Sequence, residues 1–451
     1  MKLTTKIYSV LVVTFLFTAC SKDWLEEKQN IKLVIPTTLN DMDLLLNTNF
    51  LRLDGRGASE TVCDDYEFTS DQFNSLYFGV DRDMITWKSM EMPKYGDREY
   101  DEWDLSYAEI QICNIVLEGV EKIERTENNK QQFDRIRGTA LYHRARAHLN
   151  LAMTFCNDYD KSTASSDLGI PLKLNSDISE KIVRANLEQT YSRIISDLKE
   201  ATNLLPTTQS NQTFIAKGGS FGLLARAYLF TDNYNEALNA CDSSLKYHGY
   251  IENYNNVSAA PSRPFLNLST KEMHIIGILR RESENFYVGR ISNELFRMYD
   301  ENDLRKTLYF RINNDGKPSF RGSYQGGQLF TATATDEIIL MKAECNARLN
   351  RTADARDALN LLLENRFRSG TYKTISATDP KELLDLTINE RRKELLGRGL
   401  RWQDLKRLNK DNRYSRTLTR TIGNTVFTLP ANDPKYVFPI PQYIKSFTGI
   451  E

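Results

Sequence analysis

Apolar side chains recur every three or four residues through much of the middle of this chain. In "WDLSYAEIQICNIVLEGVEKI", Trp103, Tyr107, Ile110, Asn114 and Leu117 share one helical face, which predicts a helix opening at Trp103. A second helix is predicted from Phe133 to about Phe155, and the polar, Gly- and Pro-containing run "NDYDKSTASSDLGIPLKL" breaks it. "RANLEQTYSRIISDLKEATNLLP" is strongly amphipathic and stops at Pro206, with Asn186 placed to cap it and Gln189 at the capping-box position. Closer to the N-terminus, Thr38 or Asn40 can cap a short helix through Leu44, Leu45 and Leu46.

Two later segments share a pattern. "GGSFGLLARAYLFTDNYNEALNACDSSLKYHGY" reads as two helices joined by a turn at Thr231-Asp232-Asn233, with Leu224, Ala225 and Tyr228 on the first and Ala237, Leu238 and Cys241 on the second. Small residues at these positions let two helices approach closely. A related unit recurs at 335–365, where Leu340-Met341 and Ala343-Glu344 stand in place of Leu224-Ala225 and Ala227-Tyr228, and Ala355 and Ala358 repeat the small positions. Both units resemble divergent tetratricopeptide repeats, helix-turn-helix modules of about 34 residues. With helix pairs at 103–155 and 185–228, the expectation is a mostly α fold on a scaffold of about four such pairs, with irregular loops and short hairpins.

Two excursions depart from this rhythm. Residues 51–100 are rich in Gly, Asp, Arg and aromatics and show little periodicity. Between 249 and 334 the helical pattern fades again. There "MHIIGIL" suits a strand, and "RKTLYFRINNDGKPSFRGSYQGGQLF" reads as a hairpin around Asn313-Asn314-Asp315-Gly316 followed by a glycine-rich loop. Irregular stretches this long in a compact protein are often functional.

The beginning of the chain follows a different rule. Lys2 and Lys6 precede an uncharged run, Ile7 to Ala19, which has the form of a signal peptide. A membrane span needs about 20 apolar residues, more than this run supplies. Thr18-Ala19-Cys20 resembles the lipobox of bacterial lipoproteins, with Phe17 where Leu is usual. Residues 1–19 are therefore expected to be removed, Cys20 to become a lipid-modified N-terminus, 20–35 to act as a tether, and 36–451 to form a single domain. More than one acyl chain anchors a protein firmly to a membrane.

Composition narrows the partners. Without its first 19 residues, and so without two lysines, the chain has 57 basic against 60 acidic side chains, a net charge of −3. That balance argues against nucleic acid as a partner. Five cysteines remain beyond Cys20: Cys63, Cys113, Cys156, Cys241 and Cys345, with no CxxC pair and no metal-ligand spacing. The last four sit in helical patterns among apolar neighbours, as buried free thiols do. The chain holds 22 Tyr, 21 Phe and 4 Trp, enough to fill a core and still furnish a binding surface.

The C-terminal third carries the most specific pattern. "INERRKELLGRGLRWQDLKRL" is followed by "YVFPIPQYIKS". Glu390, Arg391, Arg392, Glu394 and Leu395, then Arg401, Trp402, Asp404, Leu405 and Arg407, then Pro439, Ile440 and Pro441 together resemble the SusD/RagB family of Bacteroidetes outer-membrane nutrient-binding lipoproteins. Gly399-Leu400 departs modestly from the Gly-His/Phe that usually opens the second segment. "DWLEE" after Cys20, the early helix with Trp103, Tyr107 and Asn114, and the central repeats agree in order. Acids interleave with the arginines, so salt bridges within the fold are expected of this motif, with Trp402 as a core anchor.

The resemblance implies a non-catalytic protein that captures oligosaccharides at the cell surface and acts as a lid over a SusC/RagA-type TonB-dependent transporter. Some relatives handle peptides, and a lid with little ligand affinity is a third reading. The family's ligand surface is built largely from segments corresponding to 50–100 and 250–330. Aromatic faces there can stack on sugar rings, and polar groups can bind hydroxyls. The candidates are Trp87, Tyr77, Tyr95 and Tyr100 in the first segment and Tyr309, Arg321, Tyr324 and Gln328 in the second.

Enzymatic chemistry has little footing in the sequence. HExxH and GxxxxGK are absent. His143 and His148 are five apart, in poor register for joint metal ligation, and His248 and His274 are isolated. Asp64-Asp65 and Asp81-x-Asp83 are the best carboxylate groupings. No cofactor is implied, although oxygen-bearing side chains of this kind could hold a structural calcium ion.

Overall fold

The helix Leu187–Leu204 shows how directly the periodic segments fold. The Asn186 side chain accepts a hydrogen bond from the Gln189 backbone at 2.8 Å, and Gln189 returns one from the Asn186 N–H at 3.1 Å. Its apolar stripe, including Leu187, Tyr191, Ile194, Leu198 and Ala201, is buried. Thr38 caps the first helix in the same way, through Asp41.

The computed structural model describes residues 36–54, 57–76, 79–92, 102–265, 271–279, 288–324 and 328–450. Among these, the helices of eight or more residues are α1 (Leu39–Leu46), α2 (Glu102–Glu121), α3 (Lys130–Phe155), α4 (Leu187–Leu204), α5 (Lys217–Leu229), α6 (Tyr234–Tyr247), α7 (Thr335–Arg348), α8 (Thr352–Glu364), α9 (Pro380–Glu394) and α10 (Arg401–Leu408). From α2 to α8, each packs on the next in sequence, and α9 packs on α7. The fold is thus mostly helical, with paired helices as its scaffold. The α5–α6 turn passes through Asp232, whose φ of 55° lets the chain reverse. The matching residue between α7 and α8 is Asn350, with φ of 60°. Lys406 ties α10 to α3 by donating to the terminal carbonyls of Met153 and Cys156 at 2.6 and 2.8 Å.

The excursions hold more order than their patterns suggest. Among the described residues, three short helices, Gly57–Val62, Ser70–Ser75 and Gly79–Ile85, occupy the first. Each is too short to establish an apolar stripe. The hairpin around Asn313–Gly316 is present, pairing Phe310–Ile312 with Pro318–Phe320, and Gly316 has φ of 75°. A second hairpin, Leu418–Ile422 with Thr425–Leu429, lies near the C-terminus.

Among the described residues, two hydrophobic clusters fill the interior. One runs through the helical scaffold. The other is built chiefly from the two excursions, joining Cys63, Tyr66, Phe68 and Leu76 to Tyr254, Phe265, Ile291, Tyr309 and Phe320. Cys63, Cys113, Cys156, Cys241 and Cys345 are all buried free thiols.

Candidate ligand-binding face

The arginine-rich motif is spent on holding the molecule together. Arg391 donates to Asp404 at 2.8 Å, Asp404 accepts Arg407 at 2.8 Å, and Arg407 reaches Glu344 of α7 at 2.6 and 2.8 Å. Glu394 accepts Arg366 at 2.7 Å and Arg305 at 2.8 Å, while Arg305 also holds Glu390 at 2.8 Å. Arg392 donates to Asp65 at 2.8 Å and to Asp64 at 3.2 Å, and Arg401 grips Asp64 at 2.7 and 2.9 Å. One motif therefore staples the scaffold to both excursions. Trp402 is fully buried, donates to the Tyr436 carbonyl at 3.1 Å and stacks on the Tyr436 ring.

These pairings also decide the fate of the carboxylate groupings. Burial alone would raise the Asp64 carboxyl, but Arg392, Arg401 and Arg416 outweigh it and hold Asp64 well below the usual range. Held as a carboxylate by guanidinium groups, Asp64 does not suit the role of a general acid. Asp83 pairs with exposed Lys88 at 3.4 Å. Among the described residues, no group of three or more His, Cys, Asp or Glu side chains is arranged to hold a metal ion. His143 lies against Glu109 at 3.1 Å, whereas His148 is buried elsewhere in α3 and its pKa is pushed down to about 3 by burial.

The turn between α9 and α10 shows why this arrangement needs glycine. Gly397 has φ of 73°, and a Cβ there would lie 2.6 Å from the Phe320 ring. Gly399, with φ of 64°, donates its N–H to Glu60 at 3.1 Å, and Glu60 also accepts the Tyr66 hydroxyl at 2.8 Å. The motif, the first excursion and the second excursion converge on this turn.

Short strands join the two excursions further. Leu53–Asp54 pairs in parallel with Ile278–Leu279, and Tyr66–Glu67 pairs antiparallel with Arg290–Ile291. Ile278 also bridges Phe330, and Lys317 reaches Glu67 at 2.7 Å. Stretches separated by more than 200 residues thus form one body beside the helices.

Several of the aromatic candidates turn inward. Trp87 is 1% exposed; its indole donates to the Val62 carbonyl at 2.9 Å, and its ring lies 4.8 Å from the Arg420 guanidinium. Tyr309 is 1% exposed, shares a 2.9 Å hydrogen bond with the Tyr254 hydroxyl, and packs among Phe265, Phe310 and Phe320. Tyr324 is buried against Phe265 and Phe330. The expectation of exposed sugar platforms at Trp87, Tyr309 and Tyr324 is therefore corrected. Irregular segments lack a continuous ladder, and here large rings fill the space between them.

Two polar candidates remain at the surface. Gln328 is exposed, next to Leu329, whose carbonyl accepts the Leu279 N–H at 3.0 Å. Arg321 is partly exposed and clamps a turn, donating to the carbonyls of Ser262, Ala259, Pro261 and Thr307. Burial and the charge of Arg311 lower its pKa. Tyr77, Tyr95, Tyr100 and Cys20 lie outside the described residues. Sequence reasoning passed over Tyr250, which is 44% exposed at the start of the second excursion, where Lys271 lies over its ring. The aromatic-rich "YHGYIENY" was the available signal.

Helical pairs carrying a body of joined loops define the class, a repeat-scaffolded helical protein. A family model described as "Starch-binding associating with outer membrane" matches residues 23–229, and the SusD family model matches residues 302–443. SusD-like protein P38 of Formosa agariphila is 33% identical over 115 residues, a match spanning 24% of this chain and 22% of that protein. Among solved structures, a SusD superfamily protein from Bacteroides vulgatus has a TM-score of 0.73 at 19% identity, over 92% of this chain and 98% of that one. A SusD-like carbohydrate binding protein from the same organism has a TM-score of 0.67 at 19% identity, over 92% and 97%. The chain belongs to the SusD/RagB family, whose members are associated with the outer membrane. Among the described residues, no helix is long and apolar enough to cross a membrane.

Proposed function

We propose that this protein is a lipid-anchored, surface-exposed lipoprotein that captures oligosaccharides and delivers them to a SusC-like TonB-dependent transporter. The joining of the two excursions into one body that leaves Gln328 and Arg321 accessible carries the reading. Family membership supports sugar as the ligand class, and the lipobox-like Thr18-Ala19-Cys20 supports the anchor. The protein binds and hands on; it does not cleave.

A calorimetric screen of the mature chain against neutral oligosaccharides and peptides tests this. Oligosaccharide binding weakened about tenfold by Gln328→Ala, or roughly 1.4 kcal/mol, supports both ligand class and face. Binding of peptides but not sugars overturns the ligand class. Sugar binding unchanged in both Gln328→Ala and Arg321→Ala moves the site elsewhere. Co-purification with a TonB-dependent barrel from the native membrane tests the partner.

A further inference from the structure

The Tyr324 hydroxyl carries one hydrogen. Its oxygen nevertheless lies in hydrogen-bond contact with two buried carboxyl groups, Glu272 through Oε2 and Asp336 through Oδ2, the latter at 2.7 Å. All three side chains are shut away from solvent. If both carboxyls were ionised, one anionic oxygen would face the lone pairs of the phenol without a donor between them. That sets two buried anions against a single phenolic hydrogen, which is costly away from solvent. One added proton removes the conflict. The carboxylic acid donates to Tyr324 Oη, and the Tyr324 O–H donates to the remaining carboxylate.

Neighbouring cations do not substitute for that proton. Arg366 donates to Glu272 Oε1 at 3.0 Å, but it is shared with Glu394 at 2.7 Å and lies over the Tyr254 ring. Arg398 reaches Asp336 at 3.3 Å and is shared with Glu337 at 3.6 Å. The Glu252 backbone N–H donates to Glu272 at 2.7 Å. Nearby His274 is held neutral, first by burial and then by His248 beside it. Burial, opposed by Arg366 and reinforced by the Asp336 charge, pushes the Glu272 carboxyl up to about 7. Burial likewise raises Asp336.

We infer that Glu272, Tyr324 and Asp336 share one buried proton near neutral pH, and that this proton fastens the stretch of the second excursion ending at Tyr324 onto α7. Asp336 belongs to α7, whereas Tyr324 and Glu272 belong to the second excursion. In alkaline medium the acid proton leaves to hydroxide as water, two carboxylates confront one phenolic hydrogen, and the segment loosens. Glu272 has a raised pKa in the folded state. Its contribution to stability is therefore complete below the unfolded value of about 4.5 and is lost as pH rises through about 7. Calling the loosened segment part of a ligand face rests on the proposed function; the proton itself does not.

Hydrogen exchange on the ligand-free mature chain tests this independently of any glycan. After correction for intrinsic rates, the backbone of residues 319–324 and 328–334 in the wild type should lose about tenfold protection between roughly pH 6 and pH 8, since one pH unit of linkage corresponds to about a factor of ten. Glu272→Gln supplies a permanent N–H to Tyr324 and should show no such step. Tyr324→Phe removes the hydrogen bond that favours the ionised Glu272 carboxyl and should move the step to higher pH. A wild type without the step, Glu272→Gln retaining it in full, or Tyr324→Phe leaving it at the wild-type pH overturns the inference. If neither variant folds, the wild type's own infrared titration decides: a buried carboxylic-acid carbonyl band that disappears through about pH 7 supports the shared proton, and its absence at pH 6 refutes it.

Discussion

Trp87 offers the sharpest separation between a surface role and a core role. Its side chain is 1% exposed, its indole N–H is committed to the Val62 carbonyl at 2.9 Å, and its ring lies beside Arg420, whose pKa burial pulls down to about 10. Trp87→Ala deletes the packed ring and opens a cavity, a loss of about 3–5 kcal/mol for a buried aromatic. The backbone φ of 53° would still be imposed on the alanine, so the substitution relieves no strain. Trp87→Phe keeps most of the ring but abandons the Val62 carbonyl, at a cost of about 1–2 kcal/mol. Chemical denaturation followed by circular dichroism should order the three proteins wild type, Phe, Ala in falling midpoint. Calorimetry under conditions where all remain folded should give equal ligand affinities. An unchanged midpoint for Trp87→Ala together with a large loss of affinity would refute this reasoning and return Trp87 to the ligand face.

Other consequences follow from the ion pairs and the N-terminus. Glu337, bonded to Arg226 at 2.8 and 2.7 Å, has its carboxyl held down to about 2 because Arg226 and its arginine neighbours outweigh burial. Its stabilisation is complete above about pH 4.5 and is lost as pH falls toward 2, on the order of 3 kcal/mol, so Glu337→Gln should flatten the acid limb of a stability–pH profile. Asp64→Asn leaves Arg392, Arg401 and Arg416 facing a neutral amide and should cost about 3–5 kcal/mol in denaturant titration; a change below 1 kcal/mol would mean these cations find other partners. Cys20→Ala should abolish incorporation of labelled palmitate and release the protein from membranes; equal labelling of wild type and variant would rule out the anchor.

What the sequence determined by itself was local. Apolar spacing placed the scaffold helices, Asn186 with Gln189 marked a cap, Thr231–Asn233 marked a turn, and Asn313–Gly316 marked a hairpin. Each signal is complete within a few residues, because helix periodicity, capping and turn dihedrals are short-range properties. The interleaved charges of the C-terminal motif announced salt bridges, but not their partners. Arg392 and Asp64 are 328 positions apart, and only the folded chain brings them together. The same holds for the pairing of Leu53–Asp54 with Ile278–Leu279. Aromatic rings expose the limit most clearly. Trp87, Tyr309 and Tyr324 look the same in sequence whether they meet a sugar or a core. Which they meet depends on what distant segments leave uncovered, and in this protein those segments close over them.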